Sequence, residues 1–160
     1  MNLPDLPDPG HSPLILTLAT LVLTLLLLAI ARSDLRTFRI PDALNAALML
    51  TGLALAATGL RPMDHVIGVV AGYALFWGIG EVYFRRTGRE GLGLGDAKLF
   101  GGAGAWLGWQ ALPFVLLIAA LVGLAAALVQ RRRGGGAELA FGPWLAAGLW
   151  VLWMRAVLVG

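Results

Sequence analysis

Read mainly by charge-free length, the chain falls into six apolar runs, at about 13–31, 43–60, 66–84, 97–110, 112–130 and 141–158. A hydrocarbon core about 30 Å thick takes about 20 apolar residues of helix per crossing. The pattern therefore predicts an all-α integral membrane protein, a single membrane domain over residues 1–160 built as a bundle of about six transmembrane helices. The stretch from Leu99 to Gln130 is uncharged over 32 residues, and as one helix it would be about 48 Å long. It is expected to turn instead at GWQALP, where Gln110 suits an interface and Pro113 a helix start. The fourth span is then short, sunk at the membrane surface or shielded by its neighbours.

Charge placement tests that division, because loops on the cytoplasmic side hold an excess of Lys and Arg near span ends. The connections after the first, third and fifth runs hold Arg32, Arg36, Arg39, Arg85, Arg86, Arg89, Lys98, Arg131, Arg132 and Arg133. That is ten basic residues, against Arg61 and Arg155, two in all, on the other side. Merging the fourth and fifth runs would send the Arg131 cluster to the wrong face. Six spans with both termini on the non-cytoplasmic side are the expectation. Trp106, Trp109, Trp150 and Trp153 then suit an aromatic belt near the outer interface. Gly68 and Gly72, and Gly104 and Gly108, are spaced for close helix packing. Residues 1–12 carry no Lys or Arg, and the following run ends in RSDLR without a small-residue cleavage site, so it reads as a retained span and not as a signal peptide.

Composition agrees: 59% of residues are hydrophobic and 13% charged, with a mean hydropathy of +0.82. The chain has no cysteine, which excludes disulfides, thiol nucleophiles and cysteine zinc sites. His11 and His65 fall far apart in expected loops and form no metal-ligand spacing, so no metal and no cofactor are assigned. The net charge of +3 comes from residues that flank apolar runs, not from one soluble patch of the kind nucleic acid requires. Lipid is the expected surrounding, and nucleic acid is not an expected partner.

The remaining chemistry lies in the carboxylates. Asp5, Asp8, Asp64 and Glu138 fall in expected loops or tails. Glu81 stands four residues before Arg85, the spacing of an ion pair on one helix face. Asp34 follows the first run among Arg32, Arg36 and Arg39, where it is either an interfacial charge paired with arginine or a catalytic group. Pro41 fits the first turn of the next helix, and Asp42 adds a carboxylate at its positive end. Asp96 follows the alternating glycines of GLGLGDAKLF and stands where the fourth helix begins. It is either an N-cap or a carboxylate that a substrate or second helix approaches across Gly91, Gly93 and Gly95. The span order puts Asp34 and Asp96 at the same membrane face. Two carboxylates sharing a partly desolvated site cannot both ionise easily. One can then draw a proton from water while the other polarises a scissile carbonyl, without metal or cofactor.

These residues resemble a known family. GLGDAKL (Gly93, Gly95, Asp96, Lys98, Leu99), followed by GAWLGW, resembles the GxGD signature of the type IV prepilin peptidases, membrane aspartic proteases. SDLRTFRIPD, from Asp34 to Pro41, resembles their first catalytic motif, and FGPWLA (Phe141, Gly142, Pro143) a motif opening their last span. The resemblance covers about residues 20–155. It implies a multi-pass protein of the bacterial cytoplasmic (inner) membrane that cleaves the short basic leader of type IV prepilins or type II secretion pseudopilins, after a glycine at the cytoplasmic face. Asp34 and Asp96 would be the catalytic pair. Gly93 and Gly95 would permit close packing, and Lys98, Arg39, Pro41, Phe141, Gly142 and Pro143 would serve substrate binding or packing. Many full-length members carry an insert with two CxxC pairs and methylate the new N-terminus; without cysteine, the chain is expected to be the short, peptidase-only form, with no methyltransferase activity assigned. Asp42 stands where the family often has Asn, and Ala140 where it often has Pro. The oligomeric state is left open. Two other readings use the same carboxylates differently: a proton- or ion-coupled transporter, which would hold them near the midplane, and a scaffold, in which both are dispensable.

Overall fold

The computed structural model describes residues 12–59, 61–88, 93–132 and 140–159. The expectations for Asp5, Asp8, His11, Arg89, Gly91, Arg133 and Glu138 fall outside the described residues. Among the described residues six α-helices follow one another: α1 (Pro13–Thr37), α2 (Asp42–Ala56), α3 (Pro62–Thr87), α4 (Leu94–Leu107), α5 (Leu112–Arg132) and α6 (Gly142–Val159), with a 3-10 turn (Trp109–Ala111) leading into α5. Among the described residues there is no strand.

Helix number matches the six apolar runs, but the runs are not equivalent. Among the described residues four helical stretches are long and apolar enough to cross a membrane: α1, α3, α5 with its leading turn, and α6. The protein is a multi-pass membrane protein. The two shorter helices are α2, with 15 residues, and α4, with 14, the fourth span that was expected to be short. At 1.5 Å per residue each is only about 20 Å long, short of a hydrocarbon core of about 30 Å. The apolar run at 43–60 ends as helix at Ala56, whereas the run at 13–31 continues as helix to Thr37, so that Asp34 lies within α1.

The short α4 occupies the centre of the bundle. Every residue from Leu99 to Leu107 is buried, against α3, α2 and α6, so the neighbouring helices, not lipid, surround it. Glycines make this approach possible. A Cβ added at Gly104 would lie 2.2 Å from the Gly68 carbonyl carbon and oxygen, and one at Gly72 would lie 2.7 Å from the Phe100 carbonyl oxygen. Such backbone contact is how small residues associate helices where apolar burial gives no preference over lipid. Gly108 has another role: with φ +74° it terminates α4, a conformation that suits glycine, and the chain turns there as GWQALP predicts.

The end of the bundle away from Asp34 and Asp96 departs from expectation. Trp106 and Trp153 are core residues, not belt residues: they are 2% and 1% exposed, and their rings meet edge to face at 5.1 Å. Their indole N–H groups donate to the Leu48 carbonyl and the Thr20 hydroxyl, both at 2.9 Å, which satisfies a donor that burial would otherwise strand. Trp109 and Trp150 are the exposed members of the four. Asp64 and His65 lie in the first turn of α3, not in a loop. Asp64 accepts from Trp109 at 3.3 Å and Gln110 at 3.0 Å, and His65 Nδ1 stands 3.0 Å from the Ala105 carbonyl oxygen, which ties the α4–α5 turn to α3.

Candidate functional site

Asp34 sits near the end of α1, where the helix stops at Phe38 in the left-handed conformation (φ 52°), with the Phe38 N–H on the Asp34 carbonyl. The Ser33 and Thr37 hydroxyls both donate to the Arg39 carbonyl, at 2.9 and 3.2 Å, and pin the chain as it leaves the helix. Pro41 is the cap of α2, one residue before the first turn where it was expected, and Asp42 is the first helical residue.

The Asp34 carboxylate is 6% exposed, and no ion pair joins it to a described arginine. Its partner is instead the Gly142 N–H, 3.0 Å from Oδ2. Gly142 opens α6, so the donor is one of the first-turn N–H groups that no intrahelical carbonyl can satisfy. Helix N-termini attract anions for this reason and through the macrodipole. Phe141 holds this end of α6 in place, stacked on Phe76 at 6.4 Å, which in turn stacks on Phe100 of α4 at 4.3 Å. A Cβ at Gly142 would fall 2.7 Å from Asp34 Oδ2 and 3.1 Å from Ile40 Cδ1. Gly142→Ala is therefore expected to break the bond and cost about 1–3 kcal/mol of stability, read as a lower thermal unfolding midpoint in detergent.

Asp96 comes from the other side. The cap of α4 is Gly93, without a side-chain cap bond, so the N-cap reading of Asp96 is corrected: it is the third helical residue. From there its carboxylate reaches back to the Gly93 N–H, one half of a capping box. The structure brings the two aspartates together closely enough for the Asp34 charge to act on Asp96. Burial first, and that charge second, push the Asp96 carboxyl up to about 6. Asp96 lies in the first turn of α4, which is not one of the four helices long and apolar enough to cross a membrane by themselves.

Ile40 spaces the two elements. Its side chain lies 3.3 Å from where a Cβ at Gly95 would stand and 3.1 Å from one at Gly142, so the α1–α2 connection is wedged between the start of α4 and the start of α6. Gly95 thus serves close packing. Of the other residues singled out, Arg39, Pro41 and Gly93 are exposed and Pro143 is half-buried. Lys98 carries its ammonium to Asp42 of α2, not to Asp96. The Glu81–Arg85 pair forms as the spacing predicts, at 2.7 Å.

Two residues of the site were missed from sequence. Ile40 looked like one more apolar residue, and Asn45 was overlooked although it is the first uncharged polar amide inside an apolar run, a signal that was available. Its Nδ2 donates to the Gly95 carbonyl at 3.3 Å. Among the described residues no group of three His, Cys, Asp or Glu side chains is placed to hold a metal ion. What the arrangement can do is move protons: it has two interacting carboxyls, one with its ionisation held near neutral pH, beside open backbone at Gly93.

The profile of the type IV leader peptidase family matches residues 21–128. Proteins named prepilin leader peptidase/N-methyltransferase are similar to the chain: one from Pectobacterium carotovorum subsp. carotovorum is 43% identical over 133 residues, 80% of this chain and 48% of that protein. One from Aeromonas hydrophila is 41% identical over 144 residues, 86% and 50%, and one from Escherichia coli (strain K12) is 45% identical over 119 residues, 72% and 53%. The chain spans about half the length of these curated relatives. No solved structure matches it.

Proposed function

Because the chain belongs to the type IV leader peptidase family, we propose that it is an aspartic endopeptidase of the bacterial cytoplasmic membrane that removes the N-terminal leader of type IV prepilins or pseudopilins. The observation that carries this reading is that Ile40 packs at once against Gly95, beside Asp96, and against Gly142, whose N–H holds Asp34, with the Asp34 charge felt at Asp96. Asp34 is the ionised member and takes a proton from the attacking water. Asp96 is the protonated member and donates to the carbonyl oxygen of the scissile peptide, which disperses the charge that develops there. Gly142 holds Asp34 in place during this exchange. The excess of arginine on the loops beside both aspartates supports cleavage at the cytoplasmic face and termini on the other side. Both carboxylates stand at helix ends, which favours a protease over a transporter with midplane relays.

The test is direct: proteoliposomes holding the purified chain and a prepilin should release the leader, with the new N-terminus identified by mass spectrometry. Absence of that product at any pH between 4 and 8, in about that range of protonation states for such a pair, would overturn the reading. The pH profile carries its own prediction. Asp96 must keep its proton, and its carboxyl titrates at about 6, so kcat/KM is expected to fall about tenfold per pH unit above that midpoint. The midpoint should move down in any variant that weakens the Asp34 charge, since that charge is the second cause of the shift.

A further inference from the structure

Asn45 is 1% exposed, and the only bond described for its side chain is the one from Nδ2 to the Gly95 carbonyl, 50 positions along the chain. Its Oδ1 is buried and has no hydrogen-bond partner among the described residues. A buried acceptor left unmade costs about 1–3 kcal/mol, whereas an apolar side chain of the same shape carries no such cost. For packing alone, leucine would serve better than asparagine at this position. The gain from asparagine lies in what the amide holds.

The Gly95 carbonyl belongs to the peptide plane that ends at the Asp96 Cα, and the N–H of that same plane donates to the Gly93 carbonyl at 3.1 Å. Asn45 therefore grips one edge of the unit that carries the carboxylate. Its own backbone N–H donates to the Pro41 carbonyl at 3.3 Å, at the end of the connection that leads from Asp34. A continuous path runs from the end of α1 through Pro41 and Asn45 to the first turn of α4. Ile40 sets the spacing from one side of this path, and Asn45 sets the tether from the other.

We infer that Asn45 is a positioning residue: its amide holds the first turn of α4 so that Asp96 stays at working distance from Asp34. The inference rests on the reading of the two aspartates as the catalytic pair. It gives α2, a 15-residue helix that contributes no carboxylate to the pair, a function in the reaction.

Asn45→Leu separates this role from a structural one, because the two predict opposite relations between stability and rate. Removing the unmet acceptor should leave the unfolding midpoint equal to that of the parent or above it. Misplacing Asp96 should lower kcat on the order of 10-fold or more, since small displacements in a reacting pair are costly, with KM changed less than about twofold. A second readout needs no catalysis. The cysteine-free chain accepts spin labels through L35C and L94C, at exposed positions of α1 and α4, and the distance distribution between them should broaden in Asn45→Leu. Asn45→Ala, with kcat normalised to folded protein, gives the same two readouts if leucine is not accommodated. Unchanged kcat and an unchanged distance distribution would overturn the inference, as would a kcat that falls only in proportion to the unfolding midpoint. Asp34→Asn serves as the control: if it still cleaves, the catalytic pair fails and the inference fails with it, whereas an inactive Asp34→Asn beside a fully active Asn45→Leu overturns the inference alone.

Discussion

Asp34→Asn and Asp96→Asn should each reduce leader cleavage by about 10³-fold or more while the protein remains folded in the membrane. The size follows from the roles proposed for the pair: positioned proton transfer contributes about 10²–10⁴-fold for one group, and neither amide can accept or release the proton that the step requires. Retention of the fold follows from the contacts. The asparagine oxygen at position 34 can still accept the Gly142 N–H, now 3.0 Å away. At position 96 the substitution removes an ionisable group whose charged form is disfavoured by burial, so stability should hold or rise. The measurement is the ratio of precursor to mature prepilin in cells, together with single-turnover rates on purified protein and the amount of each variant in the membrane. Normal processing by either variant would remove the basis for the catalytic assignment.

Gly104→Ala should unfold the bundle. The added methyl would lie 2.2 Å from two backbone atoms of Gly68 and 2.7 Å from a third, and backbone atoms inside a helix cannot rotate away as a side chain does. Helices α3 and α4 must separate, and the separation spreads, because Gly72 lies against the Phe100 carbonyl and Gly101 against the Val69 carbonyl along the same seam. Overpacking of one site costs about 1–3 kcal/mol, more where nothing can yield, and here at least about 3 kcal/mol is expected. Gly78→Ala, on the same α3, is the control with the opposite sign. Nothing lies within 4 Å of a Cβ there, and alanine favours a helix over glycine by about 1 kcal/mol. Thermal unfolding in detergent should place the two variants on opposite sides of the parent. A Gly104→Ala protein as stable as the parent would mean that α3 and α4 do not meet as described.

Some local readings carried through because their cause is local. The turn at GWQALP needs only a residue that tolerates positive φ, and Gly108 supplies it. The Glu81–Arg85 pair needs only a helix between its members. Other readings failed because two causes leave the same trace. An acidic residue near a helix start can be the cap or can reach back to the cap from the third position, and the glycines around Asp96 hid which residue begins the helix. An apolar run signals exclusion from water without saying whether lipid or protein does the excluding, so the fourth run by itself stayed open between a place at the membrane surface and shielding by its neighbours. Trp106 suited a belt by its distance along the chain, yet it is taken inward by the Leu48 carbonyl and the Trp153 ring.

By itself the sequence determined the number of helices, the membrane setting, the turn between α4 and α5, and the pair of acidic motifs, because each depends on run length, charge placement or spacing between near neighbours. The tertiary structure alone decided that the short fourth helix is shielded by protein and not sunk at the membrane surface, since hydrocarbon and protein interior exclude water equally and only packing distinguishes them. It also decided that Asp34 is held by a backbone N–H 108 residues away and not by the arginines beside it. A first-turn donor has no free partner within its own helix, and which carboxylate fills that vacancy depends on how α6 is laid against α1.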